Sequence, residues 1–322
     1  MDMPMLDQLP AGEYVLIIAG LFLLALGAEA LVRGAVWLAL RLNVSPLLIG
    51  LTVVAWGTST PELIVSVNAS LSGNYGIAVG NVVGSNIVNI LLILGLAALI
   101  SPMTLPKRAI GRDALFALVA AVLFAFIALR QPVFGFDEGI VFLLVLLGMA
   151  LFAYSQERVS VADVPSEPPV DHSVIMDILL VATGLGLLAL GADMLVEGSV
   201  SVARDFGISE TVIGLTLVAV GTGLPELATT VVAAFRGRAG ISVGNIMGSN
   251  IYNILAILGV TALVAPVQID PTIVAVDMWV MIGATLLLFV PLLFGNRMGR
   301  LYGTFLIALY GCYIWYLLSL HG

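Results

Sequence analysis

GTSTPEL, residues 57–63, lies in the middle of an apolar run long enough to cross a membrane, and it sets Pro61 beside Glu62 where both are costly. GTGLPEL, residues 221–227, repeats the pattern in a second apolar run. Sliding the chain against itself by about 164 residues extends the match without a gap. GLTVVAWGTSTPEL (50–63) falls on GLTLVAVGTGLPEL (214–227), and GNVVGSNIVNILLILG (80–95) falls on GNIMGSNIYNILAILG (244–259). Roughly 28 of the 46 positions from 50 to 95 are identical, and LALGAEALV (24–32) matches LALGADMLV (188–196). The chain is an internal duplication, and each copy carries a carboxylate in the middle of an apolar run.

Composition says what surrounds those carboxylates. The chain is 61% hydrophobic and 10% charged, with mean hydropathy +1.14, whereas a soluble surface demands about a quarter charged residues. It reads as an integral membrane protein in a lipid bilayer. A helix needs about 20 residues to cross the hydrocarbon. Runs near that length fall at 14–38, 47–71, 76–100, 114–130, 138–155, 174–198, 211–235, 240–264, 272–292 and 300–320, the fourth and fifth being the shortest. About ten spanning helices are expected. Because each copy holds an odd number of crossings, the second enters the membrane from the opposite side. The expected fold is an all-α membrane protein of two inverted five-helix repeats, residues 1–155 and 174–322. A cytoplasmic linker at 156–173 joins them, its prolines and mixed charges marking a flexible connection.

Charge orients the chain. One set of connections holds Arg41, Lys107, Arg108, Arg112, Arg158, Arg236, Arg238, Arg297 and Arg300, and the other holds only Arg130 and Arg204. The positive-inside rule then places both termini outside. The net charge of −8 gathers in the N-terminal tail and the linker, and no basic stripe supports nucleic-acid binding. The first dozen residues carry no Lys or Arg, so the first run reads as a retained anchor. With Cys312 as the only cysteine, disulfides and cysteine metal sites are excluded.

Proline has no N–H to give the carbonyl four residues earlier, which is Gly57 for Pro61 and Gly221 for Pro225. An unpaired carbonyl in hydrocarbon costs several kcal/mol unless protein, water or an ion satisfies it. Thr58 and Thr222 stand four residues before Glu62 and Glu226, on the same helix face. In the next segments Asn81, Ser85 and Asn89 recur every fourth residue, as do Asn245, Ser249 and Asn253. Four segments thus offer oxygens near mid-depth, the donor set of a hard cation. No Lys, Arg or His lies near that depth, so the carboxylates are either protonated or neutralised by a cation. Two carboxylates balance one Ca²⁺ or two Na⁺.

Blander readings compete. A protonated glutamate pair fastening helices would hardly justify two proline-broken helices, since interhelical polar bonds average under about 1 kcal/mol. The Ser/Asn/Gly stripes alone are as compatible with packing as with binding. Asn86 and Asn250 point away from their serines and read as groups that satisfy backbone; Asn68 faces Val232 in the other copy, which argues against a symmetric ligand. His172 and His321 read as solvated, and Glu29 with Arg33 reads as an i, i+4 pair where the second copy has Asp193 and Glu197. An intramembrane enzyme is disfavoured, since no histidine or nucleophile–base pair lies at depth.

GTSTPEL with GNVVGSNIVNILLILG, repeated as GTGLPEL with GNIMGSNIYNILAILG, resembles the paired α-repeats of the cation/calcium antiporter superfamily, specifically prokaryotic sodium/calcium exchangers. The resemblance covers nearly the whole chain. It implies a calcium site made by Glu62, Glu226, Thr58 and Thr222 with carbonyls near Ala55 and Ala219. It implies sodium sites that share the glutamates and add Ser85, Ser249 and Ser59, with Asn89 and Asn253 completing the centre. It further implies that the first and sixth helices slide as a gate; the transported ions are Ca²⁺ and Na⁺, no cofactor is expected, and no protein partner is implied. The expected activity is Ca²⁺/Na⁺ antiport by alternating access in a prokaryotic inner membrane; Ca²⁺/H⁺ antiport is the alternative and a cation channel the less favoured one. Gly223 departs from members with serine there, and Asn253 from members with aspartate.

Overall fold

The computed structural model describes residues 12–104, 107–157, 173–206 and 221–321. The linker expected at 156–173 and the first half of the segment expected at 211–235 fall largely outside these residues, as does Ala219. Nearly everything described is helical: α1 (Gly12–Leu42), α2 (Pro46–Thr58), α3 (Thr60–Leu71), α4 (Tyr75–Ile100), α5 (Lys107–Arg130) and α6 (Phe136–Glu157) form the first copy. The second holds α7 (Val174–Asp205), α8 (Leu224–Phe235), α9 (Ala239–Val264), α10 (Ile273–Leu293) and α11 (Arg300–His321). Among the described residues eight helices are long and apolar enough to span a bilayer, and α2 with α3 makes a ninth. The shorter α8 is the counterpart of α3. The protein is an all-α membrane protein of two inverted five-helix repeats. The run expected at 138–155, one of the two shortest, is a full helix of 22 residues.

The inversion is visible in the packing. α1 and α7, which correspond in the duplication, lie antiparallel with glycines at the seam. A Cβ at Gly20 would strike the Gly191 carbonyl, one at Gly27 the Gly184 carbonyl, and one at Gly34 the backbone of Asp177. Small residues at this spacing let two backbones close up where lipid gives no hydrophobic drive. Arg41 at the end of α1 adds a 2.7 Å ion pair to the buried Asp177 of α7. The connections obey the same two-fold relation. β1 (Met103–Thr104) pairs antiparallel with β4 (Arg297–Met298), and β2 (Val133–Phe134) pairs with β3 (Val267–Gln268).

Helix starts are set by ordinary capping chemistry. Ser45 precedes Pro46 and its Oγ accepts the Leu48 N–H at 3.2 Å. Asp270 precedes Pro271 and accepts both the N–H and the hydroxyl of Thr272 at 2.8 Å. Pro at the first helical position lacks only an N–H that would be orphaned anyway. These bonds, the Thr272 N–H first, hold the Asp270 carboxyl below the usual carboxylate range. The outward faces are greasy, with Ile18, Phe22, Leu144, Leu147 and Trp315 all exposed, as a lipid-facing surface requires.

Candidate cation-binding centre

The motif helices do break, although not as an interior proline would break them. α2 ends at Thr58, Ser59 takes φ −83° and ψ 5°, and α3 restarts with Pro61 in its first turn, the two halves bent by 44°. Gly223 adopts φ −83° and ψ 0° before α8, with Pro225 in the first turn. Proline is well tolerated there, so the expected cost of Pro61 and Pro225 is largely avoided. Glu62 and Glu226 consequently occupy the first turns of α3 and α8. The positive end of a helix favours a carboxylate there.

Both carboxylates are 1% exposed, and no Lys, Arg or His is buried among the described residues. Ser59 donates to Glu226 Oε1 at 2.9 Å, across the interface between the copies, and Ser249 donates to the same oxygen at 3.4 Å. Thr58 also reaches Glu226, and Thr222 reaches Glu62. The Thr58 hydroxyl lies 3.1 Å from Asn245 Oδ1 and 3.3 Å from the Ala55 carbonyl, which also accepts the Ser59 N–H at 3.0 Å. Asn253 Nδ2 donates to Ser85 Oγ and Asn89 Nδ2 to Asn250 Oδ1, both at 3.0 Å. These contacts tie Ser59, Ser249 and Thr58 to Glu226 and Thr222 to Glu62, while Ser85 with Asn253 and Asn89 with Asn250 form separate pairs between the two copies. Asn86 and Asn250 act at one remove, Asn250 donating to the Asn86 carbonyl at 3.3 Å.

Three acceptors on the residues expected to form the site are left over, besides Asn86 Oδ1 one step out. Glu62 Oε2, Glu226 Oε2 and Asn253 Oδ1 are buried and have no hydrogen-bond partner among the described residues. A buried acceptor without a donor costs about 1–3 kcal/mol, more if charged. Two of the three are oxygens of the buried glutamates, and an all-oxygen set of this kind suits a hard cation. No group of three or more His, Cys, Asp or Glu gathers among the described residues, so any cation here is held by two carboxylates and neutral oxygens.

Two features escaped the sequence reading. Asn81 and Asn245 clamp the half-helices: each Nδ2 donates to the backbone carbonyl of its copy's glutamate, at 3.2 and 3.4 Å. The same amides reach Ser66 Oγ at 3.0 Å and Thr230 Oγ1 at 2.9 Å. Ser66 and Thr230 lie four residues beyond the glutamates, a spacing that could have flagged them. The second feature is a π-helical turn beginning at Asn89 in α4 and at Asn253 in α9. Such turns recur at functional sites.

Inverted repeats meeting at broken helices, with a buried pair of carboxylates between them, define a secondary transporter for cations. The comparisons agree: the sodium/calcium exchanger protein family matches residues 13–155 and 176–319, and the chain belongs to that family. It is 34% identical over 340 residues to the sodium/calcium exchanger MaX1 of Methanosarcina acetivorans, covering 94% of this chain and 97% of that one. It is 38% identical over 274 residues to the inner membrane protein YrbG of Escherichia coli, covering 83% and 84%. Among solved structures, that of the sodium-calcium exchanger NCX_Mj soaked with 2.5 mM Na⁺ and 0.1 mM Ca²⁺ superposes with a TM-score of 0.82 at 34% identity, covering 94% of this chain and 97% of that one.

Proposed function

We propose that the protein exchanges Ca²⁺ for Na⁺ by alternating access, with Glu62 and Glu226 as the charges for which the two ions compete. The observation that carries this reading is the pair of fully buried carboxylates, each with one oxygen unpartnered and no buried Lys, Arg or His to neutralise them among the described residues. Thr58, Thr222, Ser59, Ser85, Ser249, Asn89 and Asn253 supply the neutral oxygens, with the Ala55 and Ala219 carbonyls. A site stable only when filled crosses loaded and resists crossing empty, which makes the exchange coupled. In the proposed orientation both termini lie outside a prokaryotic inner membrane, since basic residues crowd the opposite connections. The repeats at 1–155 and 174–322 then join through a cytoplasmic linker at 156–173, and Na⁺ entry drives Ca²⁺ out.

Removing either charge tests the assignment. Glu62→Gln and Glu226→Gln each abolish Ca²⁺ transport by reconstituted protein while the thermal unfolding transition survives. Transport retained in both variants sinks the reading. One observation favours a second reading, Ca²⁺/H⁺ exchange: Gly223 offers no hydroxyl and Asn253 no carboxylate, which thins the sodium donors while leaving two protonatable groups. Ca²⁺ flux driven by a pH gradient in the absence of Na⁺ identifies that case.

A further inference from the structure

The two halves of an inverted repeat should meet their surroundings alike, and here they do not. α1 lies along α8, whereas its counterpart α7 makes no comparable contact with α3, the counterpart of α8. Burial records the difference. Pro225, Thr229 and Ala233, one face of α8, are buried, while Pro61, Val65 and Ala69 at the matching positions of α3 are half-buried. Glu226, Thr230 and Ala234 are buried like their counterparts Glu62, Ser66 and Ser70, so the added cover is confined to the Pro225–Thr229–Ala233 face of a helix that packs on α1. Thr229 is fully buried with its hydroxyl unpartnered among the described residues. A hydroxyl in that position is out of water in this arrangement and gains a partner once α1 moves away.

An ion pair crosses the same seam. Glu29 of α1 accepts from Arg236 at 2.8 Å through Oε2 and from Arg33 through Oε1. Arg236 caps the C-terminus of α8, where its N–H meets the Val232 carbonyl at 3.0 Å and Gly237 follows with φ +67°. A cation at a helix C-terminus is favourably placed, and this one is fixed to the half-helix that carries Glu226. The duplication puts Ser72 at the matching cap of α3, with Gly73 at φ +76° behind it, and Asp193 and Glu197 on α7 where α1 has Glu29 and Arg33. The mirror-related arrangement therefore has acids on the helix and no cation at the cap.

We infer that the structure is closed on the side where α8 ends, the cytoplasmic side in the proposed orientation, by α1 lying on the Pro225–Thr229–Ala233 face, and that the Glu29–Arg236 pair latches this closure. The inference rests on the alternating-access reading. It makes the open face of α3 the route from outside and assigns the buried face of α8, Thr229 included, to the route inward. Because the latch exists on one side only, it biases the empty protein toward the outward-facing state.

The test reads conformation, not transport, so it stands apart from the identity of the coupling ion. Full-length protein with Cys312→Ser carries one reporter, Ala233→Cys or Ala69→Cys, and is labelled in vesicles without Ca²⁺ or Na⁺ by a membrane-impermeant maleimide applied to either side. Ala69→Cys reacts and Ala233→Cys is protected in the parent. Glu29→Gln and Arg236→Gln each raise the Ala233→Cys rate several-fold, and the two together raise it no further than either alone. Ser72→Arg, which offers Asp193 the missing cation, raises that rate through the opposite closure without touching the existing pair. Thr229→Val, which removes the unpartnered hydroxyl, lowers it. Rates unchanged by all four substitutions, or effects of Glu29→Gln and Arg236→Gln that simply add, overturn the latch.

Discussion

Ser59 and Gly223 hold matching places in the two motifs with nearly identical backbone angles, yet only Ser59 sends a hydroxyl across the interface to the opposite glutamate. Since the backbone at Gly223 already has the angles of Ser59, Gly223→Ser introduces no backbone strain and offers Glu62 the contact that Glu226 enjoys. A hydrogen bond to a charged group contributes about 1.5 kcal/mol or more. If the restored oxygen serves Na⁺, the half-saturating Na⁺ concentration in transport falls by roughly tenfold. An unchanged Na⁺ dependence counts against position 223 as part of the sodium site. At this scale the sequence was informative, because costly residues at mid-depth advertise themselves: Glu62, Glu226 and the Ser/Asn stripes stood out for chemistry that lipid cannot satisfy. What it hid were the partners. That Ser59 serves Glu226 instead of capping its own helix, in a Ser-x-x-Glu pattern suited to a capping box, depends on how the copies meet.

Glycine sets how closely the helices approach. A Cβ at Gly184 would lie 2.6 Å from the Leu31 nitrogen and 2.8 Å from the Gly27 carbonyl, both backbone atoms that cannot swing aside. Gly184→Ala therefore forces α1 and α7 apart. Overpacking of this kind costs about 1–3 kcal/mol, seen as a lowered thermal unfolding temperature of the purified protein. Gly186→Ala, two residues along on an exposed face with nothing near the added methyl, leaves that temperature unchanged or raised. Equal effects of the two changes contradict close α1–α7 packing. Helix existence was legible because hydrophobic runs of spanning length have few alternatives in lipid. The irregularities were less so. The break at Ser59 follows from Pro61, but the π-helical turns at Asn89 and Asn253 carry no local signature, since Asn-Ile-Leu is compatible with an unbroken helix. The close antiparallel seam of α1 and α7 has no local signature beyond the glycines that permit it, although the resemblance already grouped the first and sixth helices as a gate.

At the scale of the whole molecule the duplication dictates the architecture. An odd number of crossings per copy inverts the second, and the inversion brings two carboxylates to one buried centre and pairs the connecting strands two by two. The departure from that symmetry is as informative as the symmetry: α1 on α8 with a charged latch, and no matching cover on α3. The sequence showed the asymmetric charges at Glu29, Arg33 and Arg236 without showing that they meet, because Glu29 and Arg236 are far apart in the chain and only tertiary packing joins them. In the proposed function Ca²⁺ and Na⁺ compete for one pair of buried carboxylates and so move in opposite directions. The most direct measurement is radioactive Ca²⁺ uptake into vesicles of purified protein loaded with Na⁺, with external Na⁺ removed and pH equal on both sides. Uptake that requires internal Na⁺ is the predicted result; an active preparation that takes up no Ca²⁺ from a Na⁺ gradient, and does so once a proton gradient is imposed, contradicts it.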